Sequence, residues 1–181
     1  MTDLDDFKKR IFEFAGREFV RKSILSIRDG AGAIEQILGG GGYRRVLEIG
    51  TYRGVASAYM AQFCERVTTI DLAFGKMEQD GQMHDRVRFW EAMGIDNIDL
   101  RLIDSDGEKP ALIGAQEFDF AFVDGDHEGE APRRDFELVK RCGAVLFHDY
   151  GADNGVTALV NSLPRKQVEI IDIFAFWQAG P

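Results

Sequence analysis

Apolar side chains recur every third or fourth residue near the start of the chain. They fall at Leu4, Phe7, Ile11, Phe14 and Ala15, then at Ile24, Leu25, Ile27, Ile34, Ile37 and Leu38. That spacing predicts amphipathic helices, with a break at Asp29-Gly30. They make residues 1–42 an N-terminal helical cap or extension, which closes on the run Gly39-Gly40-Gly41-Gly42.

Beyond the glycines the period changes. Short apolar runs predict strands at Val46–Ile49, Val67–Ile70, Ile98–Ile103, Phe118–Val123 and Ala144–Phe147. Helical patterns separate them at Val55–Phe63, Met83–Met93 and Pro132–Arg141, and another follows at Asn154–Leu163, stopped by Pro164. Val168 to Gln178 reads as one long strand or two abutting short ones. Strands alternating with helices predict a Rossmann-like, doubly wound α/β domain over residues 43–181, with a mostly parallel sheet covered on both faces. Ligands of such sheets bind at the carboxyl ends of the strands. The first five predicted strands all end in acidic or acidic-plus-polar groups.

Composition narrows the function. Lys plus Arg is 22 and Asp plus Glu is 31, a net charge of −9, which disfavours a nucleic-acid binder. The two cysteines, Cys64 and Cys142, are too few for a disulfide framework or a cysteine zinc site, and are expected to be buried thiols. The first six residues are acidic where a signal peptide is basic, and no apolar run reaches the ~20 residues of a membrane span. A cytoplasmic protein without a membrane partner is expected. Fourteen phenylalanines suggest a dense core.

The turn after the first strand reads Glu48-Ile49-Gly50-Thr51-Tyr52-Arg53-Gly54. It lacks the G-x-G-x-x-G dinucleotide fingerprint, because Tyr52 stands where the second glycine lets backbone approach a pyrophosphate. An NAD-linked oxidoreductase is therefore disfavoured. S-adenosylmethionine carries a sulfonium and no phosphate, and Glu48 beside the turn suits such a cation. Asp71, at the end of the second strand and followed by Leu72, can accept hydrogen bonds from both ribose hydroxyls. Asp104 and Ser105 end the third strand, within reach of an adenine.

A second constellation is Asp124-Gly125-Asp126-His127 with His148-Asp149-Tyr150. In the strand order 3-2-1-4-5 the fourth and fifth strands are neighbours, ~4.8 Å apart. Asp124 and Asp149 then project side by side, and two such carboxylates repel unless a cation or proton joins them. Magnesium or another divalent cation suits the pair. His127, three residues past Asp124, is placed to act as a base. His148 is a metal ligand, an orienting group or a pocket wall. Asp-Gly-Asp is also ordinary turn chemistry. His84 has no assigned role.

On these motifs the chain resembles the class I S-adenosylmethionine-dependent methyltransferases. It is most similar to the D-G-D-H group, which includes macrocin-type sugar O-methyltransferases, and to catechol O-methyltransferase in its E-x-G-x-x-x-G turn. The resemblance runs from Tyr43 to Asp149. It implies a cofactor site at Glu48, Gly50, Thr51, Tyr52, Gly54, Asp71, Leu72, Asp104, Ser105 and Asp124. It implies a metal at Asp124 and Asp149, with His148 a further candidate ligand, and a catalytic role for His127 and Asp124. Asp135 matches a structural aspartate. The chain departs from the pattern at Arg141-Cys142-Gly143, where the family has Pro-Gly-Gly. It departs again at Tyr150, where catechol O-methyltransferase has an asparagine ligand.

The expected reaction is methyl transfer to a hydroxyl of a small molecule, assisted by a divalent metal. A metal-independent methyltransferase and a non-catalytic S-adenosylmethionine-binding module are the alternatives. The N-terminal helices and the loop Phe74–Gln82 would shape the acceptor pocket, with Tyr52, Trp90 and Trp177 as possible walls. A core role is expected for both tryptophans. A homodimer is the commonest symmetric assembly.

Overall fold

A computed structural model describes residues 6–7, 9–10, 13–14, 25–73 and 85–180. The expectations for Leu4, Ile11, Ala15, Ile24, the loop 74–82, Met83 and His84 lie outside these residues.

Seven strands follow in chain order: β1 (Arg45–Ile49), β2 (Arg66–Leu72), β3 (Ile98–Ile103), β4 (Phe120–Val123), β5 (Ala144–Phe147), β6 (Val168–Ile171) and β7 (Phe174–Gln178). They form one sheet in the order β3-β2-β1-β4-β5-β7-β6. The first five are parallel, and β7 runs antiparallel between β5 and β6. The helices are α1 (Leu25–Gly41), α2 (Val55–Met60), α3 (Asp85–Met93), α4 (Lys109–Gly114), α5 (Ala131–Val139) and α6 (Gly155–Ser162).

Alternation along each strand splits the core in two. Val46, Phe120, Phe122, Leu146, Phe174 and Phe176 meet α1, α2 and α3 through Ile34, Leu38, Tyr59, Phe89 and Trp90. Leu47, Ile49, Val123, Val145, Phe147 and Trp177 face α4, α5 and α6 through Ile113, Phe136, Val139 and Leu159. This is the doubly wound arrangement expected. Each fully buried large apolar side chain contributes ~1.5–3 kcal/mol. Trp90 and Trp177 belong to these cores, and Trp177 meets Phe136 edge-on at 5.0 Å.

Two expectations change, one open alternative is settled and one helix is added. The helix before the glycines passes through Asp29-Gly30 unbroken and ends at Gly41. A helical glycine costs only ~1 kcal/mol, less than is gained by burying Ala33, Ile34, Ile37 and Leu38. The C-terminal segment is two strands, a hairpin turned at Asp172-Ile173 with Asp172 at φ 56°. Helix α4 was not anticipated. Its approach is a short 3₁₀ turn, Asp106–Glu108, where Ser105 and Glu108 make a capping box, and Pro110 opens the helix. The two cysteines are half-buried rather than buried. Burial still pushes their thiols up, Cys64 to about 12 and Cys142 to about 11.

The glycines of the first turn answer to packing. A Cβ on Gly50 would run into the Asp124 carbonyl, and φ there is +93°. One on Gly54, at φ +70°, would lie 2.5 Å from the Trp90 ring. Gly50→Ala is expected to destabilise the fold by more than ~2 kcal/mol. That is a fall of ~5 °C or more in the thermal midpoint. A midpoint within a degree of the native protein would contradict this account of the turn.

Candidate functional site

A cleft of about 490 Å³ opens across the carboxyl ends of β1, β2, β3, β4 and β5. Its walls include Gly50, Tyr52, Asp71, Leu72, Ile103 and Lys109, and Asp124, His127, His148 and Asp149 close one end. The volume is that of a typical small-molecule site.

The acidic end is built by the β4–β5 pairing. Val123 lies in register with Phe147, so the chain leaves both strands together. The His148 amide donates to the Val123 carbonyl (3.1 Å), and the Asp124 amide to Ile49 (2.9 Å). Asp149 sits at φ 61°, a left-handed conformation uncommon outside glycine. Asn154 Nδ2 donates to its carbonyl (3.1 Å) and holds it there. Of the other two described non-glycine residues at positive φ, Tyr52 also lines this cleft. Such residues persist where the surroundings fix them, often at functional sites.

Four side chains converge. His148 Nδ1 lies 2.9 Å from Asp124 Oδ1 and 3.3 Å from Asp149 Oδ1. His127 spans the same carboxylates, Nε2 at 3.3 Å from Asp124 Oδ1 and Nδ1 at 3.0 Å from Asp149 Oδ2. One donor atom from each of the four falls within 4.8 Å of all the others. Two nitrogens and two carboxylate oxygens are a donor set that a divalent cation accepts. Tyr150 stands apart, with its hydroxyl on Asn161 Oδ1 (3.2 Å).

Asp124 governs the charge here. Burial pushes its carboxyl up, but His127 and His148 together outweigh burial and hold it below the usual range. In return Asp124 raises His127, against burial and with help from Asp149 and Asp126. Burial is the largest influence on His148 and lowers it, yet Asp124 and Asp149 together leave it raised.

At the other end, Asp71 reaches the cleft as expected, and the Tyr52 amide donates to its Oδ2 (3.1 Å). Leu72 is beside it, 40 % exposed. Glu48, Thr51, Gly54, Asp104 and Ser105 do not line the cleft. Strand alternation turns Glu48 toward α2, beneath the turn, where its Oε2 accepts from Ser57 and from Thr69 (2.5 Å). Thr51 joins that network through Thr69 (2.6 Å). Asp104 and Ser105 give their amides to Glu108 in the capping box, at 2.8 and 3.1 Å. Ile103 and Asp106 form the wall there instead. Trp90 and Trp177 are core residues, and only Tyr52 of the three aromatic candidates is a wall.

Glu48 also sets a pH dependence. Burial is the main cause that moves its pKa from 4.5 to about 8. The folded protein therefore holds a proton that the unfolded chain releases above its ordinary value. The contribution of Glu48 to stability is fully present below about 4.5 and is lost as pH rises toward 8. The decline reaches ~3 kcal/mol by neutral pH, an order-of-magnitude figure. Glu48→Gln cannot titrate, so its unfolding free energy is expected to stay flatter across that window. Denaturant melts at several pH values check this. Equal slopes for both proteins would contradict it.

Two cationic residues of the cleft region went unpredicted. Lys109 is a buried wall residue, its Nζ 2.8 Å from Asp135 Oδ1 and 3.0 Å from Asp106 Oδ1. The capping box and Pro110 before α4 were the available signal. Arg86 contacts Asp71, and nothing in the sequence pointed to it.

Known proteins match this architecture. The chain covers 99 % of its length on a Klebsiella pneumoniae protein provisionally assigned as an O-methyltransferase, and 92 % of that protein, with TM-score 0.71 and 16 % identity. An O-methyltransferase from Bacillus cereus, solved with S-adenosylhomocysteine, gives TM-score 0.62 at 15 % identity, with 96 % of each chain covered. TomG of Streptomyces achromogenes, an O-methyltransferase of tomaymycin synthesis solved with S-adenosylmethionine, gives 0.63 at 17 %, covering 99 % of this chain and 92 % of TomG. At such identities the likeness concerns the fold. No curated protein matches significantly. Among the described residues no helix is long and apolar enough to cross a membrane. Residues 47–150 match the sequence profile of a methyltransferase domain, more than half of the chain, and the protein belongs to that methyltransferase family.

Proposed function

We propose that the protein transfers a methyl group from S-adenosylmethionine to a hydroxyl of a small molecule, with help from a divalent cation. The observation that carries this reading is the convergence of Asp124, His127, His148 and Asp149 at one end of a cleft whose other end holds Asp71.

The cofactor fits the cleft by chemistry. Asp71 offers a carboxylate to a ribose, Leu72 and Ile103 offer apolar walls, and backbone comes close at Gly50. Asp124, Asp149 and His148 would hold the cation. The imidazole nitrogen in that set favours a first-row transition ion such as manganese over magnesium. A bound cation would lower an acceptor hydroxyl's pKa and orient it.

His127 is the residue for the proton. Its side chain is 29 % exposed against 11 % for His148, so it is the imidazole open to the cleft. Asp149, 3.0 Å from Nδ1, orients the ring, which leaves Nε2 as the nitrogen to take the proton, and the Asp124 carboxylate 3.3 Å from it stabilises the charge gained. Holding the methyl carbon and the oxygen in line contributes ~7–11 kcal/mol of the acceleration, with little covalent work left for the protein. The net charge of −9 fits a small acceptor better than a nucleic acid.

A second reading rests on the same histidine. His127 lies between two carboxylates that can orient it and stabilise its charge by themselves, as a metal-independent transferase requires. The test is turnover of S-adenosylmethionine to S-adenosylhomocysteine with catechols and other vicinal diols, before and after EDTA. Turnover lost on chelation and restored by manganese supports the metal-assisted reaction. Turnover indifferent to EDTA selects the second reading. Cofactor binding with no turnover on any hydroxylated acceptor makes the protein a binding module.

A further inference from the structure

Arg86 belongs to no sequence motif, yet it is buried against the cleft at the start of α3, its side chain 1 % exposed. Its Nη1 donates to Asp71 Oδ2 (2.6 Å) and to the Tyr52 carbonyl (2.9 Å). The Tyr52 amide donates to that same Oδ2 (3.1 Å). On the other oxygen, Oδ1 accepts from the Leu72 amide (3.0 Å).

A carboxylate has about four lone-pair positions, two on each oxygen. Both positions on Asp71 Oδ2 are filled by protein donors, and one of the two on Oδ1. Among the described residues' donors a single position is left open, on a residue that lines the cleft. The arrangement depends on arginine. One guanidinium nitrogen reaches a carboxylate and a carbonyl together, and the planar head tolerates burial better than an ammonium. The Tyr52 carbonyl it holds belongs to a residue at φ 45°, so the same contact pins the turn.

We propose that Arg86 is a positioning residue which restricts Asp71 to one hydroxyl of the cofactor's ribose. The proposal rests on the reading of this cleft as an S-adenosylmethionine site. It replaces the two-hydroxyl contact expected from the sequence. Recognition of the ribose becomes one-sided, with the second hydroxyl left to another group or to water.

The test uses S-adenosylhomocysteine and its 2′-deoxy and 3′-deoxy analogues, titrated calorimetrically into the native protein and into Arg86→Met, which keeps most of the stem. A hydrogen bond to a charged group is worth ~10–100-fold in affinity. The native protein is expected to lose that much for one analogue and less than ~3-fold for the other. Arg86→Met frees a position on Oδ2, so its two losses are expected to converge while its affinity for S-adenosylhomocysteine falls. The native measurement stands even if the variant does not fold. Equal losses for both analogues in the native protein, or no loss for either, overturn the proposal and leave the cofactor reading standing. A folded Arg86→Met with the native ratio also overturns it. If the native protein does not bind S-adenosylhomocysteine, the cofactor reading fails and this proposal falls with it.

Discussion

Methyl transfer by the His127→Ala protein is expected to fall ~10²–10⁴-fold, the range for loss of a positioned general base. The expectation follows from where the ring is held. His127 bridges Asp124 and Asp149, and of the two imidazoles it is the more open to the cleft. The loss should fall on kcat, because the proposed cofactor contacts at Gly50, Asp71 and Leu72 lie at the ends of β1 and β2. Turnover is followed as S-adenosylhomocysteine released with a vicinal-diol acceptor. A kcat within ~3-fold of the native value would remove His127 from the chemistry, since base catalysis alone accounts for more than that.

Asp124→Ala should be at least as damaging. Asp124 is the carboxylate that both imidazoles face, and it supplies one of the four candidate donor atoms. Without it the cluster keeps one carboxylate and loses the charge that holds His127 and His148 in place. Manganese binding is expected to disappear from calorimetric titrations. Transfer is expected to fall ~10³-fold or more, if the ion supplies several kcal/mol of stabilisation. Native manganese affinity in Asp124→Ala would mean that the ion, if any, is held elsewhere. Tyr150→Ala is a useful contrast, because its hydroxyl is turned to Asn161. It should leave manganese binding intact.

Sheet and site were legible to different degrees, for physical reasons. An apolar run is a local property, so the five parallel strands could be read from the chain, while their order is the usual one for such sheets and not written in any single run. The Asp124–Asp149 juxtaposition followed, because adjacent parallel strands release their chains at one edge. The same period also decides where Glu48 points. Ile49 belongs to the core under α4, α5 and α6, so Glu48, one residue earlier, must face α2 and cannot reach the cleft. Gly50 and Gly54 looked like concessions to a ligand but answer to the Asp124 carbonyl and the Trp90 ring. That distinction needs tertiary contacts. Arg86 was illegible because its neighbours Asp85, Val87 and Arg88 give a polar stretch with no motif. Only the packing of α3 beside β2 brings its head to Asp71. Lys109 was missed with its helix, though Ser105, Glu108 and Pro110 spelled out a helix start.

The central claim is that the cleft at the strand ends binds S-adenosylmethionine through Asp71. Its most direct test is calorimetric titration of the cofactor into the native protein and into Asp71→Ala. One-to-one binding to the native protein is expected, and its loss in the variant, with the variant still folded by its thermal melt. No binding to the native protein, or equal binding to both, would contradict it.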